Sequence, residues 1–210
     1  MKNVLLLLLF SFSGTAVFSQ TETLFSNIHH VGGFGGPMIE ISQINGETIA
    51  DVGWGGALIL NNFFIGGYRM GTNAPNVNIN EENFNINFRH GGFWFGYTYR
   101  PQKLVHLYSS FRLGWGEASL VDGLGGKRVA DNILALSPEI GVEVNLTSWI
   151  RVGLTGGYRF VDGINSLEET VPDLTDDSFS SPFGNITFRF GGFGNWSDDD
   201  DKDKIIDFNF

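Results

Sequence analysis

Between Ile133 and Phe160 apolar and polar residues alternate, break for a few positions, and alternate again. Leu134, Leu136, Ile140, Val142, Val144 and Leu146 share one parity with Pro138, while Ala135, Ser137, Glu139, Gly141, Glu143 and Asn145 hold the other. A period of two marks an extended strand with two unlike faces. Beyond Thr147-Ser148, Ile150, Val152, Leu154, Gly156, Tyr158 and Phe160 oppose Arg151, Gly153, Thr155, Gly157 and Arg159, so a second strand repeats the division. The pair predicts a hairpin, and the same unit recurs along the chain.

The first strand is expected over His30 to Ile44, with Met38, Glu40 and Ser42 facing in and Ile39 and Ile41 facing out. Asn45-Gly46 supplies a tight hairpin turn, because both residue types accept positive φ. A second strand, Glu47 to Leu60, sets Ala50, Val52, Trp54, Leu58 and Leu60 against Asp51, Gly53, Gly55 and Ala57. Asn61-Asn62 turns the chain into a third strand, Phe63 to Met70, and residues 71–82, rich in asparagine and holding Pro75, read as a long connection. The fourth strand, Asn83 to Arg100, changes phase: Phe84, Ile86 and Phe88 have one parity, and Phe93, Phe95, Tyr97 and Tyr99 the other. A bulge at His90-Gly91-Gly92 is expected to reconcile them, since one extra residue reverses the facing of all that follow. After Pro101-Gln102-Lys103 a fifth strand, Leu104 to Leu120, places Val105, Leu107, Phe111, Leu113 and Trp115 out and His106, Tyr108, Ser110 and Arg112 in. Val121 to Asn132 is expected as a second loop, Asp162 to Pro182 as the longest, and Phe183 to Phe193 as the eighth strand.

Eight strands result, and the connections sort by length: 72–82, 121–132 and 165–182 on one end, 61–62, 101–103 and 147–148 on the other, with Asn45-Gly46 a short exception among the long ones. This predicts an all-β fold, an eight-stranded antiparallel up-and-down transmembrane β-barrel with both termini inside the envelope. A strand edge in lipid would leave backbone groups unpaired, so the sheet must close. Eight strands enclose just enough room for their own side chains, so the interior is expected to be a packed polar core. Its charge network is predicted to be Glu40, Asp51, Arg112, Glu139, Glu143, Arg151, Arg159 and Arg189, four acids against four bases, as a dry interior requires. Trp54, Trp94, Trp115, Trp149, Tyr97, Tyr99 and Tyr158 are expected to form interfacial girdles.

Over residues 30–193 this arrangement resembles the small eight-stranded outer-membrane barrels of Gram-negative bacteria, the OmpA-transmembrane-domain and OmpX type. The GGFGGP start and the INGE turn look like those of uncharacterised outer-membrane barrel proteins. The resemblance implies a place in the cell outer membrane, contact with outer-membrane lipid and lipopolysaccharide, and recognition by barrel-assembly machinery during insertion. Ile206, Phe208 and Phe210 alternate and end in the terminal aromatic that such machinery reads, although Phe190 or Phe193 serves equally as a strand end. Unlike full-length OmpA proteins, the chain leaves no room after the eighth strand for a peptidoglycan-binding domain.

Met1, Lys2, the apolar run Val4 to Phe10 and small residues up to Ser19-Gln20 have the order of a secretory signal. Residues 1–19 are therefore expected to be cleaved, leaving a polar lead at 20–29, the barrel at 30–193 and an acidic tail at 194–210. The chain has no cysteine, which excludes disulfides, thiolate metal sites and a cysteine nucleophile. Glycine at 29 of 210 residues and phenylalanine at 20 disfavour a helical bundle. The net charge of −10 is concentrated in the segment 162–177 and the tail, and without a basic stripe no nucleic-acid partner is expected.

No enzymatic motif appears. GLGGKR at 123–128 lacks phosphate-loop spacing, GxSxG and HExxH are absent, and His29, His30, His90 and His106 have no metal-ligand spacing. His106 and Ser109 would point to opposite faces of one strand. The acidic loop and the aspartates at 198–201 lack an EF-hand pattern. The expected function is a non-enzymatic outer-membrane barrel, without cofactor or metal, with a structural or surface-interaction role through external loops and a surface partner unspecified. The alternatives are a soluble exported barrel binding a small apolar ligand and a lipid A-modifying barrel enzyme.

Overall fold

A computed structural model describes residues 28–79, 82–121 and 127–194, with side chains described except at 73–84 and 127–128. The signal at 1–19, the lead through Asn27, residues 122–126 of the GLGGKR loop and the tail from Asn195, including Ile206, Phe208 and Phe210, lie outside the described residues.

Eight strands form a closed antiparallel barrel in which each pairs with its sequence neighbours and the last pairs with the first: β1 (Val31–Ile44), β2 (Glu47–Leu60), β3 (Phe63–Ile79), β4 (Glu82–Tyr99), β5 (Val105–Val121), β6 (Lys127–Asn145), β7 (Ile150–Asp162) and β8 (Ser181–Gly192). Register partners followed once round the wall from Tyr99 run through Leu107, Val142, Leu154, Ile186, Ile39, Val52 and Gly71 and return to β4 at Arg89. The ladder thus comes back ten residues out of step, from position 99 to position 89. Closure with such a stagger tilts every strand against the barrel axis. Among the described residues no helix is long and apolar enough to cross a membrane.

The alternation drives closure. Ile39, Ile41, Val52, Leu58, Ile140 and Leu154 are exposed on the outer wall, whereas Met38, Glu40, Asp51, Tyr108, Arg112 and Thr187 are buried within. The near end carries the described termini and short turns such as Asn61-Asn62, where Asn61 takes φ 56° and its side chain accepts the His29 and His30 amides at 3.0 and 3.1 Å. At the far end Asn45 and Gly46 both adopt positive φ, 49° and 80°, which suits the two-residue turn.

The far end is lopsided. β3 to β6 run 17 to 19 residues, while β7, β8, β1 and β2 run 12 to 14. Most of residues 71–82, expected as a connection, continues β3 and β4 through pairs such as Asn73↔Asn87 and Ile79↔Glu82, with the irregularity confined to Ala74/Val77. Likewise β6 begins at Lys127 and pairs with β5 inside the expected second loop. Asparagine and proline lowered the strand expectation there, but pairing with an already formed neighbour overrides local preference.

No bulge occurs at His90-Gly91-Gly92: β4 pairs with β5 without interruption from Asn85 to Tyr99. The phase change instead reflects which face the apolar residues occupy. Phe93, Phe95, Tyr97 and Tyr99 point out, whereas Ile86 and Phe88 point into the barrel and are fully buried. Trp94 follows their parity. It is buried in the lumen and is not part of an interfacial girdle.

The low side is topped by the last connection, which contains α1 (Ser166–Thr170) and α2 (Asp176–Phe179) and folds inward. Ile164, Leu167, Val171, Leu174 and Phe179 join Ile44, Ile49, Ile86, Phe88, Leu120 and Ile133 in one apolar cluster across the barrel mouth. The Ser178 carbonyl accepts the Asn45 amide at 2.8 Å, so the short first turn lies under this cap.

Candidate functional site

All eight residues of the predicted charge network project into the lumen, at 7% exposure or less. They fall into two groups. In the first, Glu40 bridges two arginines, taking Arg112 Nη2 at 2.5 Å and Arg159 Nη1 at 3.2 Å, while Arg159 also reaches Asp51 at 2.8 Å. Arg112 lies 3.5 Å from Glu139. Glu139 accepts in addition from Thr155 Oγ1 at 3.0 Å, Asn185 Nδ2 at 3.2 Å, Tyr108 OH at 3.2 Å and the Ser110 hydroxyl. Six strands feed these bonds, so no single hairpin determines them.

In the second group, toward the near end, Glu143 accepts Arg189 Nη1 at 3.1 Å, with Arg151 and His106 each 3.7 Å away. Arg189 has one carboxylate and four aromatic rings around it: its guanidinium carbon is 4.1 Å from the Tyr108 ring centre, 4.5 Å from Phe34 and 5.0 Å from both Phe64 and Trp94. Ring faces stabilise a desolvated guanidinium electrostatically, which accounts for its tolerating buried Nε and Nη2 without hydrogen-bond partners. Trp94 is fixed in this cage by its Nε1 donating to Ser110 Oγ at 3.0 Å. Sequence reasoning missed the cage; the signal was the even parity of Trp94 between outward Phe93 and Phe95.

The first group is joined to the cap. Arg159 Nε donates to the Phe179 carbonyl at 3.2 Å, and its guanidinium lies over Phe88, which stacks on Phe179 at 5.5 Å. The cap is held in turn by Asp131 in the far-end extension of β6. Its carboxylate accepts the backbone amides of Asn165, Ser166 and Leu167 at 3.0, 3.0 and 2.8 Å, satisfying the open N–H groups at the start of α1. Burial alone would raise the Asp131 carboxyl, but the Leu167, Asn165 and Ser166 amides outweigh it and hold its pKa below the ordinary value.

The histidines do not gather. His90 Nδ1 faces the Tyr68 hydroxyl at 3.0 Å and His106 Nδ1 the Lys103 carbonyl at 2.9 Å. His106 points inward, while Ser109 sits on the outer face, register partner of outward Ile140. In the acidic loop, Asp176 Oδ1 is engaged by the Ile164 amide at 2.8 Å. The arrangement is a filled lumen: ion pairs and rings through the middle and near parts, apolar packing at the far mouth.

A scan against protein-family models finds no match, and a search of curated proteins finds none. Among solved structures the chain is similar to Neisserial surface protein A (NspA), with a TM-score of 0.52 and 12% identity, covering 78% of this chain and 96% of that one. It is also similar to Ail, the attachment invasion locus protein of Yersinia pestis. Ail in complex with the heparin analogue sucrose octasulfate gives a TM-score of 0.47 at 13% identity, covering 77% of this chain and 96% of that one. Ail alone gives 0.46 at 13% identity, covering 77% and 97%. The likeness to NspA places the fold among eight-stranded outer-membrane barrels.

Proposed function

We propose that this chain is an integral outer-membrane β-barrel with a plugged lumen, acting through its outward surfaces in a structural or surface-interaction role and carrying out no catalysis. The supporting observation is the inversion of the two faces: Ile140 and Leu154 are 67% and 57% exposed while Glu40 and Arg112 are 0%. In water a continuous apolar wall of this extent would drive association, whereas hydrocarbon is its natural solvent. The near end, with its short turns, faces the periplasm in this reading, and the taller β3–β6 wall and the cap face outward. The filled interior argues against a channel and against a lumenal ligand.

Expression in a Gram-negative host followed by fractionation is the test. The expected result is recovery in detergent-extracted outer membrane as a band whose mobility shifts on boiling. Recovery in the soluble periplasmic fraction would overturn the reading.

A further inference from the structure

Register partners divide the outer wall of β2 to β6 into rows. One row runs Leu58, Ile65, Phe95, Phe111 and Pro138, and the next toward the far end runs Gly56, Gly67, Phe93, Leu113 and Leu136. Then the chemistry changes. The following row is Trp54, Arg69, Gly91, Trp115 and Leu134, and the one beyond it Val52, Gly71, Arg89, Glu117 and Asn132. Arg69 and Arg89 are diagonal neighbours on adjacent strands, about 7–8 Å apart by the geometry of antiparallel pairs. Both are exposed, and among the described residues neither guanidinium has an acidic or hydrogen-bonding partner.

Two glycines shape the ground between them. A Cβ on Gly71 would stand 2.9 Å from Arg89 Cγ, so the arginine stem leans from β4 over β3, the strand that also carries Arg69. A Cβ on Gly91 would stand 3.3 Å from Arg69 Cβ. The result is a recess of about 850 Å³ in the outer wall, lined by Arg69, Arg89, Gly91, Trp115 and Glu117. A second recess, of about 590 Å³ and apolar, opens among Gly33, Gly56, Leu58, Ile65 and Phe190. Gly56 and Gly67, register partners in the row below the arginines, leave the wall bare of side chains on the way from the upper recess to the lower one.

We infer that this face is a binding site for the phosphate group of a membrane lipid, with Arg69 and Arg89 as the phosphate ligands and the glycine-floored strip as the seat of an acyl chain. The inference rests on the outer-membrane reading and names a partner within it. Arginine forks match phosphate oxygens in charge and geometry. Indole rings such as Trp54 and Trp115 favour the boundary between headgroups and hydrocarbon, which sets the arginines at headgroup depth. With Glu117 as the register partner of Arg89 the patch is net positive by one, on a chain whose overall charge is −10. Charge complementarity therefore suits this face to an anionic group.

The test uses the full chain in phosphatidylcholine vesicles containing phosphatidic acid or, separately, diacylglycerol, with native mass spectrometry of the lipid that stays bound after extraction. The expected result is retention of phosphatidic acid about tenfold above diacylglycerol, the factor one charge-assisted hydrogen bond supplies. Arg69→Gln with Arg89→Gln should abolish the preference, Arg69→Lys with Arg89→Lys should keep part of it, and Arg100→Gln with Lys103→Gln, the same charge change at the near end, should leave it intact. Equal retention by the Arg69→Gln/Arg89→Gln variant, or displacement of the lipid by millimolar inorganic phosphate, overturns the site. Insertion of the chain without phosphate preference sinks this inference alone. Failure of the wild-type chain to insert sinks the membrane reading and the site together.

Discussion

In β4, Phe93 and Phe95 point outward, while Ile86 and Phe88, closer to the far end, point into the barrel. The same reversal holds round the molecule. Through the middle, the outside is apolar and the inside holds Glu40, Arg112, Glu139 and Arg159; at the far end the inside is Ile86, Leu120, Ile133, Leu167 and Phe179, and the outside is Arg89, Glu117, Asn132 and Asp162. What lies beyond the wall decides. Where hydrocarbon surrounds the barrel, apolar side chains gain most outside and polar ones must pair within. Where the strands rise above it into water, the ordinary rule of a soluble protein returns and apolar groups turn inward. The crossover in β4, between Arg89 and Phe93, marks one edge of the hydrocarbon in this reading.

The comparison can be broken most directly in the middle. Glu40→Met should strand Arg112 and Arg159 without a shared carboxylate and cost ~3–5 kcal/mol, the usual penalty for removing one member of a buried ion cluster. Urea titration of micelle-folded protein, followed by the boiling-dependent gel shift, measures it; a loss below ~1 kcal/mol would mean that water reaches the lumen. At the far end Phe179→Ala should cost about 3 kcal/mol, in the range for truncating a buried phenylalanine. The loss should be confined to the cap. Hydrogen exchange across residues 164–179 should quicken while the gel shift persists, and a simultaneous loss of the shift would show that cap and barrel form one cooperative unit.

Two lysine substitutions on the outward face of β6 sharpen the contrast within a single strand. Val142→Lys should destabilise by ~2–4 kcal/mol as a mid-bilayer charge, whereas Asn132→Lys, above the hydrocarbon, should stay within about 0.5 kcal/mol of the original. Equal effects at the two sites would remove the case for lipid at one height and water at the other. The smallest effect concerns pH. Because Asp131 titrates lower in the folded chain than in the unfolded one, its contribution is complete above the unfolded carboxylate value of ~4 and disappears as pH falls through the lower folded value. The amide resonances of Asn165, Ser166 and Leu167 should move together over that window, and Asp131→Ala should flatten the dependence at a cost of about 1 kcal/mol.

Strand number, pairing order and the inward set were readable because a period of two has only two phases, and the charged residues Glu40, Asp51, Arg112, Glu139, Glu143, Arg151, Arg159 and Arg189 all share theirs with small or polar neighbours. Who pairs with whom was not readable. Glu40 and Arg159 lie 119 positions apart and meet only through barrel closure and its stagger. The extension of β3 through Ile79, inside the expected connection at 71–82, was hidden by asparagine and proline, whose local preferences yield to pairing with a neighbouring strand. The phase change in β4 was visible but was assigned to a bulge, because a single solvent was assumed along the whole outer wall. Trp94 was misplaced for a related reason: tryptophan's preference for interfaces was weighed above the parity of its own strand. The cap was hidden because Ile164, Leu167, Leu174 and Phe179 are scattered among acids in a segment with no sustained period.

The bond from the Asn45 amide to the Ser178 carbonyl ties the tip of the first hairpin to a residue 133 positions later, just ahead of the strand that zips the seam. Ser178 is bonded within its own connection as well, its amide donating to the Thr175 carbonyl and its hydroxyl to the Asp173 carbonyl. The lid thus grips the first hairpin at one edge and the sixth strand at the other, and so staples together the two sides of the seam where the last strand meets the first.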